Sequence, residues 1–162
     1  MWTVAIAAIF VDQASKILVE TTMKLGQSDS VIGDVFRLTY IKNAGGAFGI
    51  FLGGGWFYFV ASVVAVAMIF FYLRRLSVDQ TLPRLSLAMI LGGALGNLVD
   101  RLRSGVVTDF LDLGIGHLRW PVFNLADAFI TVGVVLFFLS MMRTQQEGAE
   151  DHPQADRSPA HS

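Results

Sequence analysis

Four separate stretches of mostly apolar residues, each long enough to cross a bilayer, constrain this chain more than any other feature in it. They run approximately Met1–Val19, Trp56–Leu73, Leu85–Leu102 and Val122–Met142, each bounded by charge, glycine or proline. A spanning helix needs roughly 20 such residues, because about 30 Å of hydrocarbon is crossed at about 1.5 Å per residue. Only 162 residues are present, 54% of them hydrophobic and 15% charged, so a soluble fold lacks the material to bury four such helices. The first stretch has no basic leading region and no small-residue cleavage site, and its apolar character resumes at Ile17-Leu18-Val19. It is therefore expected to stay in place as an uncleaved first helix.

The expected fold class is an all-α membrane protein, a four-helix transmembrane bundle with a small extramembrane β platform. Residues 1–143 form the bundle domain, with spans at about 1–19, 56–73, 85–102 and 122–142. The platform comes from Val31–Lys42, rich in β-branched and aromatic residues, and from the pieces Val106–Leu111 and His117–Trp120 around Gly114 and Gly116. Residues 144–162 are polar and almost free of apolar side chains, so a disordered tail is expected there.

Four spans leave both termini on one side, and the short connection from Arg74-Arg75-Leu76 to Arg84 carries three arginines, which marks that side as cytoplasmic. Arg143 agrees. Lys24, Arg37, Lys42, Arg103 and Arg119 then fall on the opposite side and weigh against this assignment.

Several chemistries are excluded early. The chain has no cysteine, which removes disulfides, thiolate catalysis and cysteine-ligated metals. A net charge of −1 without a basic stripe gives no support for nucleic-acid binding. There is no H-E-x-x-H and no G-x-S-x-G, and the histidines fall at His117 in a loop and at His152 and His161 in the tail, so neither a metal nor a cofactor is expected. Ser15 and Lys16 are adjacent and point in different directions, a poor basis for a serine–lysine dyad.

What remains is polarity in the wrong solvent. An ionisable side chain at the centre of a span costs at least ~2.5 kcal/mol on insertion scales, so each one demands a reason. Asp12 and Lys16 are four apart on the first helix and can pair; a self-satisfied ion pair holding the bundle and a direct role in a site are equally open. In the third helix Gly93, Asn97 and Asp100 share an inward stripe, and Arg101 lies one turn beyond Asn97. The same helix carries Ala88, Gly92 and Gly96 at intervals of four, a small-residue pattern that lets another backbone approach. The fourth helix, expected to begin after Trp120-Pro121, carries Asn124, Asp127 and Thr131 on one face, with Asp127 one to two turns inside the apolar block. Asp109 lies in the strand-like piece Val107-Thr108-Asp109-Phe110.

Two carboxyl groups in one poorly solvated site do not both ionise readily, so one keeps a proton while the other does not. That pairing supplies a general acid and a general base, enough to cleave an amide without a metal. From the residues alone, a structural or ion-conducting role for Asp109 and Asp127 is at least as well supported. A small transporter or proton channel relaying ions through Asp12, Lys16, Asp100 and Asp127, and a noncatalytic assembly protein packing through Gly92 and Gly96, stay open.

Four blocks in order resemble the lipoprotein signal peptidases, or type II signal peptidases. They are Asp12-Gln13-Ala14-Ser15-Lys16; Asn43-Ala44-Gly45-Gly46-Ala47-Phe48-Gly49; Gly92 through Arg101 with Gly105 through Phe110; and Phe123-Asn124-Leu125-Ala126-Asp127. The resemblance implies a multi-pass enzyme of the bacterial inner membrane. It would remove the signal peptide from prolipoproteins, cutting before a cysteine that already carries diacylglycerol, near the periplasmic face. It maps a catalytic dyad onto Asp109 and Asp127. Asn43, Gly45, Asn97, Arg101 and Asn124 become groups around substrate or dyad, and Asp12, Lys16 and Asp100 become scaffold. Arg101 is the candidate to hold a substrate carbonyl, since its guanidinium donors are fixed and always charged. Membrane lipid as a partner, inhibition by cyclic lipopeptides such as globomycin, and a monomeric state are further expectations from the resemblance. Gly45, Gly46 and Gly49 are expected to clamp over the substrate or simply to shape a turn. Thr108 stands where the family often has an aliphatic residue.

Overall fold

The computed structural model describes residues 1–45 and 55–150, with side chains for 1–45 and 56–143. Helices α1 (Trp2–Thr22), α2 (Gly55–Arg75), α3 (Thr81–Ser104) and α4 (Leu125–Glu150) alternate with strands β1 (Ser28–Ile32), β2 (Phe36–Asn43), β3 (Val107–Ile115) and β4 (Leu118–Arg119). All four helices are long and apolar enough to cross a membrane. The fold is thus not strictly all-α: the extramembrane segments join into one antiparallel sheet of order β1-β2-β3-β4. The strand pieces and their meeting in one platform were legible in the sequence; the strand order and the antiparallel register of β2 on β3, such as Lys42 opposite Thr108, were not, because two spans separate these strands and their alignment is set only when those spans pack.

Helix boundaries differ from the expected ones for local reasons. Helix α3 starts at Thr81 rather than at Leu85, since Pro83 in the first turn lacks only an N–H that has no helical acceptor. It ends at Gly105, which takes the left-handed conformation (φ 75°) and returns its N–H to the Arg101 carbonyl. Helix α4 starts later than expected, at Leu125. Phe123 is held extended by backbone bonds to Leu111 and Phe110, so helical geometry begins only after Asn124. The expectation that Asp127 lies one to two turns deep is corrected accordingly, since it sits in the first turn of α4. At its other end α4 continues to Glu150, and residues 151–162 lie outside the described residues.

Helix α3 is the hub, packing on α1, α2 and α4. Its glycines make this possible. A Cβ on Gly92 would meet the Ala5 carbonyl and Ala8 of α1, and one on Gly93 would run into the Ala126 carbonyl of α4. The small-residue stripe foreseen in the sequence therefore serves two neighbours on two faces. The outward faces stay apolar and exposed, with Phe10, Val64, Phe71, Val135 and Phe138 among them, as helices surrounded by lipid require. At the sheet end, Val19, Tyr40 and Phe110 form a small core joining α1 to β2 and β3.

Candidate active site

The site lies where the C-terminal half of α3, the N-terminus of α4 and strands β2 and β3 converge. Asn124 ends the extended segment and caps α4. Its Oδ1 accepts the Asp127 N–H at 3.0 Å, and its own N–H approaches Asp127 Oδ2 at 3.4 Å. This is the reciprocal arrangement of a capping box, with aspartate as the acid, and it places the Asp127 carboxylate against the positive end of a helix.

Asp109 reaches the same point from β3. Its Oδ1 accepts from Asn124 Nδ2 at 2.6 Å and its Oδ2 from Asn43 Nδ2 at 2.9 Å. One asparagine side chain therefore touches both aspartates, bonding to the carboxylate of Asp109 and to the backbone of Asp127. The two acids differ in setting: Asp109 is 1% exposed, whereas Asp127 is half-buried. Burial pushes the Asp109 carboxyl up to about 6, the nearby charge of Asp127 adding to the shift and the hydrogen bonds from Asn43 and Asn124 opposing it.

Three asparagines aim their amide NH2 groups inward, and each is held by an obligate donor on its oxygen. Asn97 Oδ1 accepts from Lys16 Nζ at 2.9 Å, leaving its NH2 to donate to Asp127 Oδ1 at 2.8 Å. Asn43 Oδ1 accepts from the Gly45 N–H at 2.9 Å, which turns its NH2 to Asp109. Asn124 is fixed by the Asp127 N–H and donates also to Asn97 Oδ1 at 3.1 Å. An ammonium and backbone N–H groups can only donate, so none of these amides can reverse without losing a bond.

Behind Asn97 lies a fully buried ionic cluster. Lys16 Nζ is 2.9 Å from both Asp12 and Asp100, so one cation serves two carboxylates. The remaining carboxylate lone pairs are met by Gln13 Nε2, which also bonds the Gly96 carbonyl, and by two backbone N–H groups, Ala126 on Asp12 at 2.9 Å and Thr108 on Asp100 at 3.2 Å. The two readings left open for Asp12 and Lys16 prove compatible. The pair is a structural cluster holding α1, α3, α4 and β3 together, and it reaches Asp127 by two hydrogen bonds through Asn97.

Arg101 is half-buried, with Asp127, Asp109 and Asp100 in electrostatic range. Its guanidinium makes a long hydrogen bond, 3.4 Å to the Asn97 carbonyl. Of the expected residues, Asp12, Lys16, Asn43, Gly45, Asn97, Asp100, Arg101, Asp109, Asn124 and Asp127 all fall in this one assembly. Gly46 and Gly49 lie outside the described residues.

Sequence reasoning missed a second ionic group on the far face of the sheet. Glu20 accepts from Lys42 and Arg103 at 2.6 Å each, while Thr108 Oγ1 accepts from Lys42 and donates to Glu20. Thr108 and Lys42 face each other across β2 and β3, next to Asp109 and Asn43. Only the unusual Thr108 hinted at it. Tyr58 of α2, in electrostatic range of Arg101, gave no sequence signal either. Among the described residues no group of histidine, cysteine or acid side chains is arranged to hold a metal ion.

Comparison with known proteins agrees with this geometry. A family model described as signal peptidase (SPase) II matches residues 4–143. The lipoprotein signal peptidase of Geobacter sulfurreducens is 42% identical over 149 residues, covering 90% of this chain and 93% of that protein. That of Desulforapulum autotrophicum is 47% identical over 135 residues, covering 80% and 83% respectively. Two solved bacterial membrane enzymes share the fold. One has a TM-score of 0.79 at 27% identity, covering 98% of this chain and 93% of its own; the other has 0.77 at 31%, covering 86% and 90%. A match across all four helices and the sheet, shared with relatives over most of their length, shows that this chain belongs to the signal peptidase II family of proteases, the lipoprotein signal peptidases.

Proposed function

We propose that this protein removes signal peptides from lipoprotein precursors as an aspartic endopeptidase, cutting before a diacylglyceryl-modified cysteine. The observation that carries the reading is the single Asn124 side chain bonded to Asp109 at one end and to Asp127 at the other. Burial raises the Asp109 carboxyl to about 6, so it binds a proton more readily than an ordinary aspartate and is the general acid of the pair. Asp127, half open and at a helix N-terminus, is the base that takes a proton from water as it attacks the scissile carbonyl. Asp109 gives its proton to the reacting amide, and Arg101 holds a substrate carbonyl in place. A precursor anchored by its lipid reaches this point from the bilayer, since the site lies at the end of the spans.

The arginine-rich end, with Arg74, Arg75, Arg84 and Arg143, is assigned to the cytoplasm together with both termini. The aspartates then face the outer side of the bacterial inner membrane. A monomer is the expected state, and a cyclic lipopeptide such as globomycin is the expected inhibitor. The test is cleavage of a lipidated precursor by Asp109→Asn and Asp127→Asn variants. Each is expected to lose on the order of 10²–10⁴ in turnover, and near-normal turnover by either rejects the mechanism.

A further inference from the structure

The end of the bundle opposite the aspartates carries a second feature. Helices α2 and α4 both lie on α3, and between them runs a cleft open to the side. Its larger and more open part, about 390 Å³, is lined by Met68, Ile69, Leu87 and Met141; its smaller part, about 200 Å³, reaches Gln80 and Pro83 near the turn between α2 and α3. Tyr72 and Phe137 line both parts, their rings meeting edge to face at 6.1 Å. From Met68 to Leu76 the cleft follows about 12 Å of helix.

Its mouth is cationic. Arg84 follows Gln80 by four positions and Arg143 follows Ser140 by three, which puts both on the same face as a wall of the cleft, one turn further out; Arg75, three after Tyr72, has its guanidinium 4.5 Å over the neighbouring Phe71 ring, and Arg84 is within electrostatic range of Asp79. Arg74 is on the same helix end. Asp79 is the only acid with a described side chain at this end. An apolar cleft that opens sideways and ends in guanidinium groups has the complementarity of an acyl chain attached to a phosphate.

We propose that this cleft binds an anionic glycerophospholipid, one acyl chain lying between α2 and α4 over Leu87 and the phosphate held by Arg75, Arg84 and Arg143. The site is separate from the aspartates and independent of the peptidase reading. Each arginine near a membrane surface adds about 1 kcal/mol to such binding, so three together favour the anionic lipid by roughly 100-fold.

The test uses delipidated full-length protein in detergent, titrated with dioleoylphosphatidylglycerol, dioleoylphosphatidylcholine or inorganic phosphate and followed by intact-complex mass and melting temperature. One retained phosphatidylglycerol per chain is expected, bound at least tenfold more tightly than phosphatidylcholine and not displaced by inorganic phosphate. The triple variant Arg75→Gln, Arg84→Gln, Arg143→Gln should lose the preference while still cleaving precursor. Met141→Trp, which fills the cleft and keeps the charges, should lose retention. Equal binding of the two lipids, a preference that survives the triple variant, displacement by phosphate alone, or a dimer that excludes lipid from the cleft would overturn the proposal.

Discussion

Two ionic clusters flank the strands that carry Asp109 and Asn43, and they live in different solvents. The inner one, Asp12, Lys16 and Asp100, is 0%, 2% and 7% exposed. The outer one joins Glu20 to Lys42, Arg103 and Thr108 at the edge of the membrane, where Arg103 is more than half exposed. Inside, no water replaces a lost partner, so every carboxylate oxygen has a protein donor and the cluster acts as a rigid joint. Outside, water competes with each contact and the same number of charges holds the sheet only loosely. The difference teaches that the inner cluster sets the geometry of the dyad, whereas the outer one trims it.

The comparison can be broken most directly at Lys16. Replacing it by methionine leaves Asp12 and Asp100 buried without their cation, and a loss of about 3–5 kcal/mol is expected in denaturation of the detergent-solubilised protein. Turnover should fall as well, because the Asn97 amide loses the donor that aims it at Asp127. Stability within about 1 kcal/mol of the wild type would show that the cluster is no joint.

A middle-sized effect belongs to Asp109. Its folded value of about 6 lies above the ordinary 3.8, so the fold binds this proton better than the unfolded chain does. The resulting stabilisation is fully present below about pH 4 and disappears as the pH rises through about 6. Wild type should therefore lose up to about 3 kcal/mol relative to Asp109→Asn between pH 4 and pH 7. A difference that stays flat with pH would remove burial as the force acting on this carboxyl.

The smallest effect is expected at Glu20. Glu20→Gln keeps the shape of the outer cluster and removes its charge, at a cost of about 1 kcal/mol or less that shrinks further in high salt. A loss as large as that of Lys16→Met would erase the distinction between the two clusters.

Much of this site could be read from local spacing. Asn124 and Asp127 are three apart, so their joint role at the start of α4 is a local matter, and Asp12 and Lys16 are four apart on one helix. Gly92 and Gly96 announced close packing. The register of β2 on β3 could not be read, nor could the contact of Lys16 with Asn97, which are separated by 81 positions. Nothing in the Thr108 region reveals that its hydroxyl meets Glu20, because that contact exists only when α1 and the sheet are docked.

By itself the sequence determined that four helices are long and apolar enough to cross a membrane and that a handful of charged and amide side chains cannot face lipid, because both follow from the cost of placing polar groups in hydrocarbon. Only the tertiary structure decided which of those side chains share bonds and that Asp109 would be dry while Asp127 stays half open. Those outcomes depend on how α3 packs between α1 and α4 and on where the sheet closes over them, and such distances are set by contacts between residues far apart in the chain.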